Sequence, residues 1–157
     1  MFNLNSEAVR GGTVCLSKAG LKIGNSDAKD VDIAAPNGAG VDFAINGILY
    51  HKADAADIAL TAADAQAADT SCIYLICLNS SGTLSSVKGT EVTTADITSG
   101  KTPLTFPAPT ENTCPIGYVR VDTDSVTFTA GTTELSASGV TDTYVDLFSV
   151  PTTPLTS

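Results

Sequence analysis

At 157 residues the chain fits one domain, and a domain of this size buries roughly two thirds of the surface its unfolded form exposes, so a core needs neither metal nor disulfide help. The net charge is −9 and the eight Lys and Arg are scattered singly from Arg10 to Arg120, which excludes the clustered cations that neutralise phosphates on nucleic acid or an anionic membrane. No run approaches the roughly 20 apolar residues of a membrane-spanning helix, and the N-terminus lacks the charged-then-apolar form of a secretory signal, so synthesis in the cytoplasm is expected.

Residues 1–34 hold two short apolar patches, Thr13–Leu16 and Leu21–Ile23, and four of the eight basic residues. So few large apolar side chains cannot offset the entropy of ordering, and an extended arm is expected. From Val41 to Lys52, Asn46-Gly47 lies between two alternating apolar runs, the strongest short hairpin signal, because both residues accept positive φ in a type I′ turn. Ile58 and Leu60 favour a strand, while 62–68 could instead close a helical turn. The continuous apolar run Cys72–Leu78 predicts a central strand buried on both faces, turned back by Asn79–Gly82 into Thr83–Lys88.

Between Gly89 and Thr113 the signals weaken: Thr93–Thr98 suits one helical turn, and Pro103, Pro107, Pro109 and Pro115 enforce extended connections, so a long loop over the surface is expected. Pro115 through Leu147 reads as three short β runs separated by Gly, Ser and Asp. The chain holds 22 threonines, 19 of them at or after Thr83, and Thr suits the pleated surface of a strand. Aromatics are 6% and Trp is absent, so Val, Ile, Leu and Ala should build the core. The expected fold is all-β, an antiparallel β-sandwich or jelly-roll-like body at 35–149 with the arm at 1–34 and a Pro-punctuated tail at 150–157.

Residues that carry chemistry are scarce. His51 is the only imidazole, set in hairpin alternation beside Tyr50 and Lys52, with no orienting group suggested by sequence. Cys15, Cys72, Cys77 and Cys114 form no Cys-x-x-Cys and read as buried small hydrophobes. A Cys15 to Cys114 disulfide is the alternative, and Cys72 and Cys77 should face opposite ways on one strand. The pairs Asp30 and Asp32, Asp122 and Asp124, and Asp142 and Asp146 could offer oxygen to Ca²⁺, but no loop matches a calcium motif, and turn chemistry explains them. Gly11-Gly12 and Pro36–Gly40 lack the ending of a phosphate loop and read as hinges. No catalytic residue, metal or cofactor is expected.

Four segments in order, Phe43–Ala53, Tyr74–Thr83, Ala108–Val121 and Phe128–Leu147, resemble small virion proteins of tailed bacteriophages, above all capsid decoration (cement) proteins. That resemblance implies a β body, usually trimeric, seated on the outer head surface and bridging major capsid proteins, with no catalytic residue carried over. On this reading the arm residues Phe2, Leu4, Val14, Leu16, Leu21 and Ile23 are expected at the capsid, and Tyr118, Phe128, Tyr144 and Phe148 at the trimer contact. A tail- or fibre-associated module binding host receptors or glycans is the main rival, although without Trp it lacks a strong sugar-stacking platform. A small hydrolase using His51 and a carboxylate is the rival from another class.

Overall fold

The run that the sequence marks as central is the middle of a ten-residue strand in the computed structural model, whose described residues run from 12 to 150. In chain order the elements are β1 (Val14–Cys15), β2 (Leu21–Ile23), β3 (Asp30–Ile33), β4 (Val41–Ile45), β5 (Ile48–Lys52), β6 (Ala55–Ala59), β7 (Thr70–Asn79), β8 (Leu84–Lys88), β9 (Val92–Thr93), α1 (Thr94–Thr98), β10 (Thr113–Thr123) and β11 (Val140–Asp146). Strands account for 45% of the residues and helix for 4%, and the three antiparallel sheets form a β-sandwich as expected. The largest has the order β11-β10-β7-β8, with β9 also on β7; the two others are β1-β4-β5 and β2-β3-β6.

Period-two alternation sorts β7 between two layers. Cys72, Tyr74, Ile76 and Leu78 face one core with Phe43 and Ile45 of β4 and Val31 and Ile33 of β3, so both smaller sheets pack on this face. Ile73, Leu75 and Cys77 face a second core with Val92, Leu104 and Tyr118. Residues 89–112 are therefore more than a surface connection. They cover the far side of the central sheet: Leu104 is buried, and the Phe106 ring meets Tyr118 edge to face at 5.2 Å. Thr93 caps α1, its hydroxyl accepting from Asp96 N.

The Asn46-Gly47 turn has φ of 52° and 81°, the two positive values a type I′ turn requires, and Phe43 stacks on Tyr50 across the hairpin at 5.7 Å. Residues 55–59 form a strand, and 62–68 do not close into a helix. Gln66 bridges to Phe128 instead.

Two expectations are corrected. Residues 12–34 do not form an extended arm: β3 pairs with both β2 and β6, and Cys15, Ala19, Leu21, Val31 and Ile33 are core residues. Small apolar side chains suffice there because the central sheet supplies the surface they cover. Residues 1–11, with Phe2 and Leu4, lie outside the described residues, as does the tail from 151. Likewise, Pro115 to Leu147 contains two strands rather than three. The middle run is held by turns at Thr129–Thr133 and Ala137–Val140, with positive φ at Ser125, Gly131 and Gly139, and by Phe128 and Leu135 buried in the core.

One irregularity sets how the layers meet. Pro115 pairs with Cys77 and Gly117 with Ile76, leaving Ile116 as the extra residue of a bulge. Gly117 then faces Leu21 of β2. A Cβ here would collide with the Leu21 side chain and lie 2.6 Å from Val145 O, a main-chain atom that cannot swing away. Gly117→Ala is expected to lower unfolding free energy by roughly 1–3 kcal/mol through overpacking, read in urea titration; an unchanged midpoint would refute this account of the layer spacing.

Gln66 is fully buried, its Nε2 donating to Thr70 O (3.1 Å) and Val121 O (3.0 Å) and its Oε1 accepting from Tyr74 Oη at 3.3 Å. Gln66→Leu strands Val121 O and the Tyr74 hydroxyl without water, while Thr70 O keeps the Thr123 hydroxyl at 3.1 Å. A loss of about 3 kcal/mol is expected, measured against Gln66→Glu at low pH, where a protonated carboxyl restores part of the set.

Candidate interaction surface

Most polar groups that could have formed a site are occupied by the backbone. Asp57 lies at an irregularity of the β3–β6 ladder with φ of 52°, and its freed N–H donates to Asp32 Oδ1 at 2.7 Å. Its own Oδ1 accepts from Ser26 N and Asp27 N in the β2–β3 turn. Asp54 accepts from Ala35 N, Asp69 from Ser125 N and Asp146 from Leu21 N. Asp122 accepts from the Ser71 hydroxyl and from Arg120 Nε at 2.9 Å. Of the paired Asp residues, Asp32 and Asp146 thus bond the backbone of other strands and Asp122 bonds side chains, rather than the local turns expected.

Among the described residues no group of three or more His, Cys, Asp or Glu is placed to hold a metal ion. All four thiols are free and buried. Burial pushes Cys15, Cys72 and Cys77 up to about 11 and Cys114 up to about 12, which keeps them protonated and poor nucleophiles. Cys72 and Cys77 face opposite cores, as their odd spacing requires. His51 is exposed, and its Nδ1 lies 2.8 Å from Asp42 Oδ1, its cross-strand neighbour on β4. The sequence did not suggest this carboxylate, which sits nine residues away and becomes adjacent through the hairpin register.

What remains exposed and apolar gathers on the β1-β4-β5 sheet. Leu16 (50% exposed) and Phe148 (54%) lie at the β1 edge, where Cys15 N donates to Phe148 O at 2.9 Å; Ile48 (59%) and Leu49 (70%) lie on β5 at the other edge. Between them Val14, Ala44 and Leu49 share one cross-strand row, in which Val14 is half-buried, Ala44 buried and Leu49 exposed. Of the expected capsid-contact residues, Val14 and Leu16 belong to this surface. Leu21 is buried over Gly117, and Ile23 packs against the core.

The expected trimer residues do not converge. Phe128 is fully buried edge to face with Tyr74 at 5.6 Å, and Tyr118 is buried beneath Phe106, so neither is available to another chain without unfolding. Tyr144 is half-buried, and its hydroxyl is buried without a partner. Only Phe148 is open. Ile48 and Leu49 were missed although they are adjacent apolar residues in an alternating strand, and alternation sends one of any such pair outward.

Compared with protein-family models, with curated proteins and with solved structures, the chain matches none.

Asp30 is the exception among the carboxylates. It is buried with Oδ1 unpartnered, and burial foremost, then Asp27, raises its pKa while Lys29 opposes the rise. A carboxyl whose pKa is raised by folding favours the folded state below its unfolded pKa, and that contribution is lost as pH rises through the folded pKa. Asp30→Asn removes the loss. The variant's melting temperature relative to wild type is expected to climb from about pH 4 to about pH 7, and a pH-independent difference would contradict the assignment.

Proposed function

We propose that the protein is a bacteriophage capsid decoration protein that seats on the outer head surface, contacts the major capsid protein, and adds interface between coat subunits. The observation that carries this reading is the apolar surface of Val14, Leu16 and Phe148 on an otherwise carboxylate-rich exterior, displayed by a sheet whose other face is locked in the core. The four segments that resemble small virion proteins lie on β4–β5, β7, β10 and the Phe128–β11 region, the parts that build that rigid support. Resisting outward pressure on a shell calls for such a body, because a compliant one would yield before the coat contacts did. Three copies around each quasi-threefold position are part of the proposal, joined through groups other than Tyr118 and Phe128.

The test is to add purified protein to heads that lack it and to image them by electron microscopy. Density at quasi-threefold positions is expected; density on tails alone would favour the host-binding alternative. Leu16→Asp combined with Phe148→Asp should leave the melting temperature unchanged and lower head affinity by about tenfold or more, and wild-type occupancy in that variant would move the contact elsewhere.

A further inference from the structure

We propose that β5 pairs edge to edge with β5 of a second copy of this chain, antiparallel about a two-fold axis through Tyr50, joining two three-stranded sheets into one of six strands. Five residues, Ile48–Lys52, run in unbroken register with β4, free of proline and of any bulge. Their outer row of backbone groups has no strand partner among the described residues. Such an edge is a template for another strand unless something blunts it.

Other edges in this fold are blunted. The β1 edge is bonded by Phe148 O, and β2 by the Asp146 carboxylate. Beyond β6, Thr61 N donates to Ser86 Oγ of β8 while Thr61 Oγ1 accepts from Ser86 N. Along its sequence β11 carries the carboxylates Asp142 and Asp146, charges of the kind that blunt an edge. By contrast, β5 presents Ile48 and Leu49, the two most exposed large apolar residues described.

Charge selects a second copy as the occupant. Two chains of net charge −9 repel, yet β5 itself contains no carboxylate and ends in His51 and Lys52. In the two-fold register Tyr50 meets Tyr50 of the second copy, Leu49 meets its His51, and Ile48 meets its Lys52, so each basic side chain faces an apolar one and no like charges are opposed. The Lys52 stem already lies over Gly82, with its Cδ 3.1 Å from where a Gly82 Cβ would stand. Asp42 Oδ1 lies 2.8 Å from His51 Nδ1 on the same copy. The contact is separate from Leu16 and Phe148, so one copy can engage a coat subunit and a second copy together.

Sedimentation of the full chain from about 1 to about 200 µM is expected to show the mass of the smallest species double with concentration. Ile48→Lys with Leu49→Lys should abolish the doubling with the circular dichroism spectrum unchanged, while Thr141→Lys on β11 should retain it. In the wild type, hydrogen exchange of the β5 amides should slow as concentration rises. The proposal is overturned if no doubling occurs, if it survives the β5 variant or is lost in Thr141→Lys, if β5 exchange is independent of concentration, or if doubling appears only after residues 1–11 are removed.

Discussion

Everything in this molecule rests on the antiparallel pairing of β7 with β10. Nine residue pairs join the two strands, from Thr113 with Asn79 to Asp122 with Ser71. Over Cys72–Leu78 β7 is apolar on both sides, which is unusual for an antiparallel sheet and means that each face needs its own cover. The two small sheets supply one cover, and residues 89–112 the other. The bulge at Ile116 then decides how closely the first cover approaches, because it puts Gly117 under Leu21.

Polar chemistry in this fold is turned inward on the chain itself. Carboxylates accept main-chain N–H groups at irregularities of the ladders, and the Gln66 amide ties the start of β7 to β10 and to the Tyr74 hydroxyl. A side chain committed to a backbone group is poorly placed to bind a ligand, since release would leave a donor without a partner. The large apolar side chains left exposed among the described residues lie along the margins of one small sheet.

How far the sequence could be read depended on whether a signal was local. The hairpin at Asn46-Gly47 and the central strand at 72–78 were legible because turn chemistry and continuous hydrophobicity act over a few residues. The role of residues 12–34 was hidden. Leu21, Val31 and Ile33 look too sparse to hold a segment in place, and the surface they cover is supplied by distant residues of β7 and, for Leu21, by Gly117 of β10. Phe128 misled for the opposite reason: a β-favouring run of Val, Thr and Phe became an irregular segment pinned by one buried ring against Tyr74. Exposure of Ile48 and Leu49 was half legible, since alternation demands that one point outward but does not say that the other goes uncovered.

The hydrogen bond between Cys15 and Phe148 ties the beginning of the described chain to its end. On a ribosome, β1 to β4 emerge well before β10 and β11 exist, and their apolar faces have only part of their platform until β10 joins β7. Pairing between such distant segments is slow because loop closure precedes any reward from contact. Cooperative folding of this domain must therefore await the emergence of β10 and β11, and a chain terminated before them would present its N-terminal strands to the cell's chaperones rather than to their proper neighbours.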